Sequence, residues 1–370
     1  VDSGVSSFKD YLELEDRLFK QLDDKVYAKI TPDQMVPTNR YHKDSYSDPG
    51  RWPQNWNRSF EMPVKQPRAA VLLLHGMSDS PYSLHHLGDR LHSAGAYVVG
   101  LRIPGHGTAP SGLTTVTWQD MAAAVRIAVR HLAESAGDQP LHIVGYSNGG
   151  ALAVNYALAA AEDPKLPQIK SLALSSPEIG ISTMAALAVW QARLGTLLGL
   201  DKLAWNSLLI EYDPYTFGSF AVNAGDVAHR LTNEIQKQIT ALDASGKLGK
   251  LSPILAFSSM VDATVSAPAL VAGLFNRIPE GGHELVLFNI NTMTELEPLL
   301  KWNPEEMFGA LQAKEGRTFT LSLVTNTSQD STEVMLASMP PGKGAEMSET
   351  DLGLSWPHGI YSLTHVALPF

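Results

Sequence analysis

The sequence predicts an α/β fold, a mostly parallel central sheet flanked by helices and interrupted by a helical cap, and three observations predict it. Short apolar runs such as Ala69–Leu74, Ala96–Leu101 and Leu141–Tyr146 alternate with helix-compatible stretches. Strands without polar alternation suit a parallel sheet covered on both faces. The alternation stops after Pro177 for a Leu- and Trp-rich block, then resumes near residue 252. Finally, Gly145-Tyr146-Ser147-Asn148-Gly149 lies between a strand-like and a helix-like segment, as a serine mounted on a sharp turn would.

In chain order, residues 6–30 are charged and helix-compatible, with Leu12, Leu14, Leu18 and Leu22 near helical spacing. A polar stretch over 31–66 contains Trp52, Trp56 and a strand-like 58–62, and reads as a packing arm. Strand Ala69–Leu74, a helix over 83–94, strand Ala96–Leu101, the long helix Trp118–Ala136 and strand Leu141–Tyr146 follow. Then come a helix over 149–161 and strand Ser171–Ser175. The block 181–245 looks helical and ends in a polar helix near 226–242. Strand periodicity returns at 252–258 and 283–288, and a second insert, about 291–355, carries a strand-like 319–324. The expected organisation is therefore an N-terminal arm (1–68), a first core part (69–180), a cap (181–245) and a second core part with its insert (246–370).

The 370 residues suffice for a large core, and 44% hydrophobic and 18% charged residues are ordinary for a globular chain. A formal charge of −10 opposes phosphate binding, so no nucleic-acid partner is expected. Apolar tracts break within about ten residues, short of a membrane span. Cysteine is absent, which removes disulfides, thiolate metal sites and a thiol nucleophile. The chain opens on Val1 rather than Met, and with the lack of thiols this leads us to expect a cell-envelope or secreted protein over a cytoplasmic one.

A serine hydroxyl needs a base to take its proton, and the base needs a third group to orient it. On a strand–turn–helix elbow the acid and then the histidine follow the serine. Asp262 stands just past the strand over 252–258 and is the expected acid, with Asp213 and Asp226 as rivals in the cap. Three later histidines compete for the base. His283 precedes a strand and belongs at the wrong edge of the sheet; of the other two, His365 is preferred and His358 is read as a loop residue. The N–H groups of Asn148 and of Met77, in the loop after the first core strand, are the expected oxyanion donors. His75 buttresses that loop. His85, His86 and His92 are read as surface residues of one helix, Gly105-His106-Gly107 lacks the lysine of a phosphate loop, and neither metal nor cofactor is expected.

Taken together, residues 72–77, Arg102-Ile103-Pro104-Gly105-His106-Gly107, the Ser147 elbow, Asp262 and His365 resemble the α/β-hydrolase superfamily. Within it they look most like lidded bacterial carboxylesterases, monoacylglycerol lipases and lysophospholipases. The resemblance covers 69–180 strongly, 250–290 moderately, and the last dozen residues. The gap between Asp262 and His365 is longer than in a minimal member. The resemblance implies hydrolysis of small or polymeric carboxylic esters through an acyl-enzyme, with Leu187, Trp190 and Trp205 of the cap against an apolar group. A peptidase or amidase, using Glu178 or Glu211 to hold a substrate amine, and a non-catalytic binding module are the alternatives.

Overall fold

The computed structural model describes residues 4–179, 204–262, 265–291, 303–328, 330–342 and 347–357. Helix α1 (Phe8–Lys25) starts at a capping box in which Ser7 and Asp10 satisfy each other's backbone N–H groups. Its buried face is Phe8, Tyr11, Glu15, Phe19 and Leu22. The expected leucine stripe is thus displaced: only Leu22 is buried, and the aromatic residues carry the packing. The rest of the first half comprises β1 (Phe60–Met62), β2 (Ala69–Leu74), α2 (His85–Ser93), β3 (Ala96–Leu101) and α3 (Trp118–Ala136). It closes with β4 (Leu141–Tyr146), α4 (Asn148–Glu162) and β5 (Ser171–Ser175).

The second half holds the short pair β6 (Trp205–Ser207) and β7 (Phe220–Ala221), α5 (Val222–Ala244), β8 (Ile254–Ser259) and the one-turn α6 (Ala267–Leu270). After these come β9 (Glu284–Asn289), α7 (Pro304–Ala313), β10 (Thr320–Asn326), β11 (Glu333–Met339) and β12 (Ser348–Ser355). One sheet runs β1-β3-β2-β4-β5-β8-β9-β10-β11-β12. Strands β3 through β10 are parallel in that order; β1 joins β3, β11 joins β10 and β12 joins β11 by antiparallel pairing. Every residue of β3 and all but the first of β2 are buried, as continuous apolar strands require when helices cover both faces.

Helix α4 is apolar on nearly every side and is accordingly enclosed, between the sheet and α5. Of the expected cap, residues 180–203 lie outside the described residues. Its last helix, α5, lies along α4 with Val227, Leu231, Ile235, Ile239 and Leu242 buried, so it flanks the core. The second insert continues the sheet: β10 pairs in parallel with β9, Leu321 opposite Leu285. It also returns to its starting point, because Asn291 Nδ2 donates to the Pro357 carbonyl at 2.7 Å.

The N-terminal arm is fastened by a buried polar network. Glu15 accepts from Arg102 Nε at 2.9 Å and from the Ser59 N–H and hydroxyl, each at 2.9 Å. Tyr11 donates its hydroxyl to the Arg102 carbonyl. Both charged groups are almost wholly out of solvent, where removing one partner strands the other charge. Glu15→Ala should therefore lower unfolding stability by about 3–5 kcal/mol, read as a shift in the urea midpoint; a loss below 1 kcal/mol would show that water replaces the pair.

Candidate active site

Strands β2, β4, β5 and β8 are consecutive neighbours in the parallel part of the sheet, so their C-terminal ends share one edge. Ser147 follows β4 there with φ 52° and ψ −118°, a conformation costly for any residue bearing a Cβ. It is held by its own N–H, which donates to the Ser175 carbonyl at 2.9 Å. Around it space is closed to side chains. A Cβ on Gly149 would stand 2.1 Å from the Leu74 carbonyl oxygen, and one on Gly145 would stand 2.6 Å from the Gly149 carbonyl oxygen. Ser147 is only 6% exposed. The loop after β2 reaches it: a Cβ on Gly76 would be 3.3 Å from the Ser147 Cβ.

That loop holds His75, Gly76, Met77, Ser78 and Asp79. His75 is buried and neutral in its bonding: Nε2 accepts the Ile103 N–H at 3.0 Å, and Nδ1 faces the Gly76 carbonyl at 2.8 Å. Burial, then the neighbouring His106, holds it well below the ordinary histidine range. A buttress to the loop is the role this bonding supports. Met77 is half-buried against the main core, and Ser78 turns at φ 61°. Asn148 is the first residue of α4, whose N-terminus points its free N–H groups and dipole at this edge.

Asp262 lies past the end of β8 and is fully buried. Its Oδ1 accepts the Val265 N–H at 2.8 Å, fixing the carboxylate in a turn. Its charge and that of Asp79, behind burial as the main cause, push the phenol of Tyr146 above the ordinary tyrosine range. The residue before Ser147 thus feels both carboxylates. The rival acids are engaged elsewhere: Asp213 accepts the N–H groups of Tyr215 and Thr216, and Asp226 pairs with Arg230 at 2.8 Å. His283 is buried at the opposite edge, ahead of β9, where Nδ1 accepts the Ile254 N–H. His358 and His365 lie outside the described residues, as do Leu187 and Trp190. The Asn291–Pro357 bond nevertheless brings the chain just before His358 to the end of β9, next to β8. Trp205 is half-buried and packs against the main core.

Three features escaped sequence reasoning. A strap from the β6–β7 hairpin is tied to the loop after β2: the Phe217 N–H donates to the Ser78 carbonyl at 2.7 Å, and the Thr216 hydroxyl to Asp79 at 3.2 Å. Within the strap Glu211 spends both oxygens on the N–H groups of Gly218 and Ser219. Glu178 accepts from Asn148 Nδ2 at 3.2 Å, and burial pushes its carboxyl up to about 7. None of these contacts has a local sequence signal, since their partners lie at least 30 residues apart or within an irregular turn.

One surface expectation is corrected. His85 is buried, because its ring is stacked on Tyr82 and tilted against Trp56. Among the described residues, His85, His86 and Asp89 each offer one ligand atom within 4.8 Å of the others, the latter two from exposed positions.

Burial pushes Asp79 up to about 6 against the hydrogen bonds it accepts. The folded state therefore holds this proton more tightly than the unfolded one. Its stability contribution is present below about pH 4 and is lost as pH rises through about 6, on the order of 3 kcal/mol in all. Asp79→Asn keeps an acceptor without the charge. Its stability relative to the native protein should rise across that window, measured as paired urea midpoints; a difference independent of pH would refute the assignment.

The profile of the family described as serine aminopeptidase, S33, matches residues 65–289. No curated protein matches. Among solved structures, one from work on the metagenome-derived lipolytic enzymes LipS and LipT has 21% identity and a TM-score of 0.48, covering 63% of this chain and 88% of that one. The Paleococcus ferrophilus monoacylglycerol lipase has 20% identity and a TM-score of 0.45, covering 68% and 95%. A thermostable carboxyl esterase from Bacillus coagulans has 14% identity and a TM-score of 0.47, covering 68% and 92%. The profile spans more than half of the chain, including β2, the Ser147 elbow and Asp262, and by that match this protein belongs to the serine aminopeptidase S33 family of α/β hydrolases.

Proposed function

We propose that this chain is a serine hydrolase of carboxylic esters carrying an apolar acyl or alcohol part. The observation that carries the reading is the strained Ser147 at the sheet edge that also holds Asp262 and the loop after β2. In the proposed mechanism the Ser147 hydroxyl attacks the ester carbonyl while His365 takes its proton. Asp262 orients the imidazole and stabilises its charged form. The developing oxyanion is met by the N–H groups of Met77 and Asn148, the latter aided by the helix dipole. His365 then protonates the departing alcohol, and water hydrolyses the acyl-enzyme by the same steps in reverse roles.

Leu187, Trp190 and Trp205 are the proposed wall for the apolar group. The second reading, cleavage of aminoacyl amides, is favoured by the family's description and would need a carboxylate for the amine. Glu211 is committed to backbone N–H groups, so that role would fall to Glu178.

A fluorophosphonate should label the native protein and not Ser147→Ala, and p-nitrophenyl acyl esters should turn over faster than aminoacyl p-nitroanilides. Faster anilide cleavage would overturn the ester assignment, and an unlabelled native protein would favour the binding module. For the base, His365→Ala should cost at least ~10³-fold in kcat, the scale of losing a triad member, while His358→Ala stays within about threefold. The opposite pattern would transfer the role to His358.

A further inference from the structure

We propose that Glu178 is a positioning residue for the oxyanion donor, holding the Ser147–Asn148 peptide through both its backbone and its side chain. The inference rests on the reading of Ser147 as nucleophile and of the Asn148 N–H as oxyanion donor. The Ser147 carbonyl and the Asn148 N–H belong to one planar peptide group, so whatever fixes the carbonyl also aims the N–H. That carbonyl accepts three N–H groups: Gly150 at 3.0 Å, Ala151 at 3.2 Å and Glu178 at 2.9 Å. The first two are contacts that the start of a helix makes with its own cap. The third comes from a different segment and sets the plane against the sheet.

The side chain of Glu178 grips the same unit again. Its Oε2 accepts from Asn148 Nδ2 at 3.2 Å. Asn148 is buried, and among the described residues its Oδ1 has no hydrogen-bond partner, so the Glu178 contact is the polar constraint on this amide. Glu178 is itself anchored. Its carbonyl accepts the Thr232 hydroxyl of α5 at 3.3 Å. Just before it, Ser176 turns at φ 40°, and Pro177 lies so close to α4 that a Cβ on Gly150 would stand 2.8 Å from the proline Cβ. The segment 176–178 is thus a wedge against the first turn of α4. Donors on the carbonyl also polarise the peptide and strengthen its N–H toward an oxyanion. Burial pushes the Glu178 carboxyl up to about 7, against the hydrogen bond it accepts from Asn148.

The test compares Glu178→Ala, Glu178→Gln, Asn148→Ala and the double Ala variant, by the second-order rate of fluorophosphonate labelling and by kcat and KM on a p-nitrophenyl ester. Mis-aiming a donor should cost less than deleting one, so Glu178→Ala is expected to lose about tenfold in labelling rate and kcat. KM should stay within about twofold, because the donor acts on the transition state. Glu178→Gln keeps the acceptor and should remain within about twofold of native. The double variant should be no slower than the slower single one, as residues acting through one contact are not additive.

A native labelling rate in Glu178→Ala, a Gln variant as slow as Ala, or losses that multiply in the double variant would each overturn the inference. If Glu178→Ala does not fold, Asn148→Ala removes the other partner of the same bond and must show the loss by itself. A native protein that labels but cleaves no ester defeats the ester assignment alone, with the labelling rates still deciding for Glu178. A native protein that does not label defeats both.

Discussion

The 2.1 Å that would separate a Cβ on Gly149 from the Leu74 carbonyl oxygen sets how closely α4 meets the sheet, and the rest of the site hangs on that approach. No side chain fits there, so the helix start lies directly on the end of β2. The turn from β4 into α4 must then be abrupt, which forces Ser147 to φ 52°. The same approach sets the loop after β2 beside the serine and the helix N-terminus beneath both. Ser147, loop and dipole therefore occupy one corner because a backbone contact excludes every arrangement that keeps them apart.

Around that corner, peripheral segments are tied in by buried polar pairs. The arm enters through Glu15 and Arg102, and Arg102 Nη1 continues to the His106 carbonyl in the turn after β3. The strap enters through Thr216 and Phe217 onto the loop that carries Met77. Each tie crosses between segments that a hydrophobic contact could hold but not register. A polar pair in a low dielectric tolerates little displacement before one partner is stranded, so such ties specify position as well as adding stability.

Electrostatically, burial moves several titratable groups around the site away from their ordinary ranges. His75 stays neutral because burial disfavours its cation, and that leaves Nε2 able to accept the Ile103 N–H. Asp79 and Glu178 are pushed upward by the same burial that pushes His75 down, since a dry environment disfavours charge of either sign. Asp262 meets an N–H donor in its own turn.

The sequence by itself determined the parallel sheet, the order of its strands along the chain, and Ser147 and Asp262 as the residues at strand ends. Those signals are local: continuous apolar runs fix strands buried on two faces, and glycines two positions either side of Ser147 mark a turn that only they permit. Tertiary structure decided what depends on distant partners. It buried His85 under Trp56 and moved the arm's packing face from leucines to Phe8, Tyr11 and Phe19. It drew β10 into the sheet where an insert was expected, and committed Glu211 to the strap. It also set Glu178 against Asn148, 30 residues away in the chain. Side-chain type limits what a residue can bond to, but only the folded chain brings the partner within hydrogen-bonding distance, and so only the fold chooses among the possible roles.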